Sequence, residues 1–224
     1  MHRDPLIYDP DCTLCPRLAA FLAGIRREHP DYHARPVGPF GDAAARLVIV
    51  GLAPGLHGAN RTGRPFTGDV AGILLYDTLY RHGFASRPVS VDAGDGLELI
   101  DCRITNSVKC VPPQNKPIAA EVNTCNRYLS AELERLSGDA VVLLALGAIA
   151  HQGALLALRL TRSAHRFAHG AEHRLDGGRV LLDSYHCSRY NTQTRRLTPA
   201  MFDGVVARCR ALVDAAPRRG RRAG

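Results

Sequence analysis

Hydrophobic positions along this chain come in blocks whose internal spacing changes from one block to the next. ARLVIVGL (45–52) is an unbroken apolar run ended by glycine, the pattern of a parallel strand covered on both faces. DVAGILLYDTLYRHG then shifts to apolar spacing near one helical turn, which predicts a helix from about Asp69 to His82 stopped by Gly83. LELIDCRITNSV (97–108) reads as a second strand, ended by the VPPQNKP turn. Residues 117–136 read as a helix, 140–146 as a third strand and 148–158 as a further helix. RVLLDSYH (179–186) follows the DGG turn at Asp176 to Gly178 as a last strand, and Thr198 and Pro199 open a final helix to about Val213. The polar, proline-containing lead before Ala45 shows no such pattern.

Strands alternating with helices imply an α/β fold with a mainly parallel sheet covered on both faces. At 224 residues and 46% hydrophobic content, the chain can bury one good core, so a single domain over 1–216 is expected, followed by a basic, disordered tail at 217–224. The formal charge of +8 and a pI near 9.4 favour a polyanionic partner such as nucleic acid, although many arginines can equally be solvated surface. No apolar stretch approaches the length of a membrane span, and MHRDPLIYDPDC lacks a basic region followed by an apolar one. A cytoplasmic protein without membrane contact is expected. Seven cysteines, an odd number, argue against a disulfide framework and for metal ligation or packed thiols.

In parallel sheets of this kind ligands sit outside the carboxyl ends of the strands. Three segments distant in sequence fall there: GLAPGLHGANRTGRPFTGD (51–69), TNSVKC (105–110) and HCSRYN (186–191). The first is rich in glycine, which lets backbone approach a ligand closely. It contains neither GxxxxGK[ST] nor GxGxxG, so the two common phosphate-cradling loops are excluded.

The same loop, together with ITNSVKCVPPQNKP and HCSRYNTQTRRLTPAM, closely resembles the type-b (family 5) uracil-DNA glycosylases, relatives of the iron-sulfur family 4 enzymes. The resemblance spans roughly residues 12 to 209. It implies a three-layer α/β/α fold, removal of uracil and other deaminated or damaged bases from DNA, and a bound 4Fe-4S cluster. By that resemblance the backbone at Gly51, Leu52, Ala53 and Gly55 lines the base, Phe66 stacks on it, Asn106 reads its edge and His186 donates to uracil O2. Extruding a base into a fitted pocket needs such a face and such an edge reader, and a side-chain amide complements uracil N3–H and O4. Hydrolysis of the glycosidic bond leaves negative charge on the base, which a hydrogen-bond donor at O2 stabilises. The charge state of His186 in that role is left open.

Ser188, Arg189, Tyr190 and Asn191 resemble the loop that enters the minor groove, with Arg189, Arg195 and Arg196 as phosphate contacts or ordinary surface arginines. Where related families carry Glu, Asp or Asn to position water, this chain has Leu52 and Ala53. Asp69 is the candidate to orient water, with a helix cap as the equally weighted alternative. Cys12, Cys15, Cys110 and Cys125 match the cluster ligands of the family, the wide second spacing arguing mildly against zinc. Cys102, Cys187 and Cys209 are then packed thiols, and Lys109 is structural or phosphate-facing rather than a Schiff-base amine. The expectation is a monofunctional, monomeric glycosylase acting on DNA that contains uracil. A noncatalytic, metal-stapled DNA-binding protein is the alternative, and an iron-sulfur electron carrier a third.

Overall fold

The computed structural model describes residues 7–136 and 142–216. The expected tail at 217–224, the first six residues and the start of the third predicted strand, Ala140 and Val141, lie outside that range. Six strands form one sheet: β1 (Phe40–Gly41), β2 (Leu47–Gly51), β3 (Cys102–Asn106), β4 (Val142–Leu146), β5 (Glu172–Arg174) and β6 (Val180–Ser184). Their order is β1-β3-β2-β4-β6-β5. The central four are parallel, and the two short edge strands pair antiparallel. The helices are α1 (Pro16–Glu28), α2 (Ala59–Thr62), α3 (Val70–Arg81), α4 (Ala119–Arg135), α5 (Ala148–Ala157), α6 (Arg189–Gln193) and α7 (Pro199–Ala215).

Side chains alternate across the pleat, so β2 divides its burial between two cores. Leu47 and Ile49 pack with α3 and α7 through Leu75, Leu79, Phe202 and Val206. Val48 and Val50 face the other way, onto Leu129 and Leu133 of α4 and Ala150 and Ala154 of α5. This is the expected α/β/α sandwich. A third cluster lies beside it, where Leu18, Leu22 and Ile25 of α1 meet Val108, Val111 and Tyr128.

The observed elements depart from expectation mostly where their packing is not local. Helix α1 occupies the lead to which no element was assigned. Its apolar stripe is only three buried residues wide, and Arg17 reaches across to Glu121 of α4 with two 2.7 Å hydrogen bonds. The second predicted strand shortens from 97–108 to Cys102–Asn106. The segment 186–191, expected as loop, ends in the single-turn α6, capped by Ser188. The DGG turn closes the β5–β6 hairpin.

Beneath the sheet lies a buried charge network. The Glu132 carboxylate accepts from Arg103 Nε at 2.6 Å and from the Thr105 hydroxyl at 2.7 Å, and Lys109 Nζ stands 3.4 Å from it. Lys109 is 2% exposed, which fixes it as a structural cation and removes the phosphate-facing alternative. Taking the negative charge out would strand the buried Lys109 and remove the carboxylate partner of the largely covered Arg103. Glu132→Gln is therefore expected to lower unfolding free energy by about 3 kcal/mol, read from urea denaturation.

Candidate active site

Strand β2 is followed in sequence by β3 on one side, and the chain then crosses to β4 and β6 on the other, so the connections diverge at the carboxyl end of β2. A crevice opens where connections diverge. Register brings Gly51, the last residue of β2, directly beside Asn106, the last of β3. Ser107 N–H and Val108 N–H then donate to the Gly51 and Leu52 carbonyls, each at 2.9 Å, which locks the two loops together.

Glycine is required at 51. A Cβ there would stand 2.4 Å from Asn106 Oδ1 and 2.9 Å from the Phe66 ring. Phe66 itself has φ of +57°, a left-handed conformation unusual for an aromatic residue. Its backbone is held from behind by α3, whose Gly72 leaves room for the Phe66 carbonyl; a Cβ at 72 would come within 1.8 Å of that oxygen. Strain concentrated at a ring facing a crevice is the pattern of a functional position.

Asn106 is 3% exposed, and its Oδ1 has no hydrogen-bond partner among the described residues. A buried amide oxygen left alone costs roughly 1–3 kcal/mol, so the site holds an unmet demand for a donor. The ring of His186 lies 5.7 Å from that of Phe66, with 26° between their planes. Phe66 is therefore a neighbour of both Asn106 and His186. Surrounding protein pushes the His186 imidazole down to about 4 by desolvation, so it is neutral at physiological pH. Gly147, at φ +96°, lies beneath it at the end of β4 and leaves its Cβ 3.5 Å of clearance.

Asp69 is the cap of α3, with one oxygen to spare. One carboxylate oxygen caps α3, accepting from Gly72 N–H at 3.1 Å. The other faces the glycine-rich loop, where a Cβ at Gly58 would approach it to 2.9 Å and one at Gly55 to 3.5 Å. The side chain reaches solvent, yet the surrounding loop raises its carboxyl above the ordinary value by desolvation, opposed by the backbone N–H groups of Gly72 and Ala71.

On the rim, Asn191 Nδ2 donates to the His186 carbonyl at 2.8 Å, and Ser188 Oγ accepts from Asn191 N–H at 3.4 Å. These bonds shape α6 and leave Tyr190 71% exposed, with Arg189 and Arg195 open to solvent beside it. Arg196 instead lies 4.7 Å over the Tyr185 ring. Sequence reasoning missed Asn60, fully buried inside the loop with Oδ1 unpartnered, Gly72, where a Cβ would run into the Phe66 carbonyl, and Gly147, whose φ of +96° favours glycine.

Cys12, Cys15, Cys110 and Cys125 line one small cavity with Leu18, Lys109 and Tyr128. Burial pushes the Cys15 thiol up to about 11, with Cys125 and Cys12 adding to the rise, and Cys110 and Cys125 are raised by burial likewise. Cys125 Sγ also accepts the Lys109 backbone N–H at 3.2 Å. Ala53 and Leu56 of the glycine-rich loop pack on this cluster. Cys102, Cys187 and Cys209 are fully buried, with burial raising each thiol, as packed thiols should be.

Burial of the His186 ring couples folding to pH. The unfolded ring takes its proton near 6.5 and the folded ring only near 4, so stability is complete above the first value and lost as pH falls toward the second. Wild-type protein should lose roughly 2–3 kcal/mol over that window relative to His186→Gln, measured as the difference between their urea-unfolding free energies.

The family model of the uracil DNA glycosylase superfamily matches residues 39–210. A type-5 uracil-DNA glycosylase of Thermus thermophilus is 48% identical over 206 residues, covering 90% of this chain and 93% of the relative. One of Mycobacterium tuberculosis is 44% identical over 211 residues, covering 90% and 78%, and one of Pyrobaculum aerophilum 42% identical over 205, covering 90% and 88%. Matches of this extent, over the same crevice-lining segments, establish that the chain belongs to the type-5 uracil-DNA glycosylases of the uracil DNA glycosylase superfamily.

Proposed function

We infer that this protein excises uracil from DNA by hydrolysing the N-glycosidic bond. The unpartnered Asn106 Oδ1, buried beside Phe66 and His186, carries the reading. A base turned out of the duplex stacks its face on Phe66 and presents N3–H to Asn106 Oδ1 and O4 to the amide nitrogen. Cytosine would set its own acceptor N3 against that oxygen and leave both unpaired, a penalty of about 1–3 kcal/mol. The 5.7 Å between the Phe66 and His186 rings is less than two stacking layers, so His186 meets the edge of the base while Phe66 meets its face.

As the bond to deoxyribose lengthens, electrons collect on the base. A neutral His186 donates to O2, and the donation strengthens as the charge grows without an added proton. The second oxygen of Asp69 orients water from the side of the glycine-rich loop. Leu52 and Ala53 contribute backbone alone, which tunes the pocket less sharply to uracil and leaves room for other deaminated bases. Outside the pocket, Tyr190 enters the duplex as the base leaves it, with Ser188 and Asn191 shaping the loop and Arg189 and Arg195 on phosphates.

Four converging thiols, of which burial makes Cys15, Cys110 and Cys125 harder to ionise, suit a cationic group that supplies the missing positive charge. A single zinc ion would draw its sulfurs to about 3.8 Å of one another. Among the described residues, the trio of potential ligand atoms within 4.8 Å lies elsewhere, so the thiols are spread more widely than zinc requires. Cys12, Cys15, Cys110 and Cys125 fit a 4Fe-4S cluster, which when bound supplies a structural staple rather than redox chemistry. Nothing in the site favours the noncatalytic or electron-carrying alternatives.

Incubation with an oligonucleotide containing one uracil, followed by alkali, should break the strand at that position only; absence of breakage would refute the reading. Asp69→Asn is expected to slow single-turnover excision about 10- to 1000-fold, and an unchanged rate would remove Asp69 from the mechanism. Purified protein should be brown with about four irons per chain, measured by metal analysis, and Cys110→Ser should lose the colour.

A further inference from the structure

On the sheet face that carries α5, two imidazoles converge on a carboxylate with no part in the uracil pocket. Asp183 of β6 is fully buried. His151 Nδ1, from α5, lies 2.7 Å from its Oδ1, and His173 Nε2, from edge strand β5, lies 3.2 Å from its Oδ2. Potential ligand atoms of all three lie within 4.8 Å of one another.

The proton positions are constrained. His151 Nε2 is 2.9 Å from the backbone carbonyl of His165, which can only accept, so the hydrogen of a neutral ring sits on Nε2. That leaves the Nδ1 lone pair pointing at a carboxylate oxygen. Two lone pairs at such a distance repel unless a positive charge lies between them. An extra proton would meet the need for one pair; a divalent cation meets it for all three donors together.

We propose that His151 Nδ1, His173 Nε2 and the Asp183 carboxylate form a binding site for a zinc-class divalent cation. Tetrahedral zinc with nitrogen and oxygen ligands sets neighbouring donors about 3.3 Å apart. The His173–Asp183 separation already has that value, and the His151–Asp183 separation must open by about half an ångström, a small turn of the carboxylate. The surroundings match the needs of a metal-bound histidine, whose second nitrogen donates to a carbonyl that fixes the ring, as His151 does to His165. Asp183 is pinned through its backbone, donating to Ala171 at 3.0 Å and accepting from Gly170 at 2.8 Å. Two imidazoles and one carboxylate favour zinc and its late first-row neighbours over magnesium or calcium, which need more oxygen donors.

Access is through the sheet edge, where His173 is 13% exposed. A fourth ligand is at hand in water or in His165, whose ring lies 5.5 Å from that of His173 and whose Nδ1 is engaged by the Thr161 carbonyl, leaving Nε2 its lone pair. The ion would clamp α5, the edge hairpin and β6 together three residues before His186. It is independent of the cysteine cavity, since no thiol contributes.

Chelator-dialysed protein, checked for retained brown absorbance, is titrated with zinc at neutral pH and analysed for bound metal, thermal midpoint and histidine side-chain NMR signals. One zinc per chain is expected, with the midpoint raised by about 5 °C at a hundredfold excess over Kd and the His151 and His173 resonances shifted. His173→Gln should abolish both binding and the rise, while Cys12→Ser should leave them intact. No bound zinc, zinc retained by His173→Gln, or unshifted His151 and His173 signals in wild type would overturn the proposal. The NMR measurement needs no variant, so a failure of His173→Gln to fold does not shelter the idea.

Discussion

The contact between Gly51 and Asn106 governs the rest of the site. Two parallel strands end in register, and the absence of a Cβ at one terminus creates the space into which the side chain at the other projects. Asn106 stays buried without a partner because that space is roofed by Phe66, whose left-handed backbone is wedged against Gly72. Each unfavourable feature is maintained by a favourable one behind it: sheet pairing holds the amide, and helix packing holds the aromatic ring. The local cost is tolerated because the two cores flanking the sheet are large and closed.

Electrostatics follow the same division of labour. Where charge is needed for structure it is buried with partners, as in the Glu132 network under the sheet. Around the base pocket charge is suppressed: His186 is neutral, and the Asp69 carboxyl is raised rather than lowered. A donor shielded from water interacts with a developing anion more strongly than one in bulk water does. Unpaired positive charge is left to the rim, where Arg189 and Arg195 are exposed to solvent.

Much of this was legible in the chain. The buried run 45–52 became β2, the spacing after Asp69 became α3, and the three segments at carboxyl strand ends do converge. What was hidden depends on partners far away in sequence. Helix α1 has a stripe of only three buried apolar residues among arginines, and its docking surface is built from residues 108–128. The edge strands β1 and β5 are two and three residues long, too short to hold a period. The capping role of Asp69 could not be settled from the chain because a carboxylate has two oxygens, and only geometry shows one on the Gly72 N–H and the other against the glycine-rich loop. The requirement for glycine at 72 is set by the folded position of the Phe66 carbonyl and that at 147 by its own left-handed φ, which no local pattern reveals.

The bidentate bond between Arg17 and Glu121 joins residues 104 positions apart. A ribosome adding about 5–20 residues each second needs on the order of ten seconds to cover that distance. Throughout that interval α1 has emerged with neither its ionic partner nor Tyr128, the far wall of its apolar seat. Helix α1 therefore cannot complete its seat until α4 has been made, although it precedes every other described helix and strand in the chain.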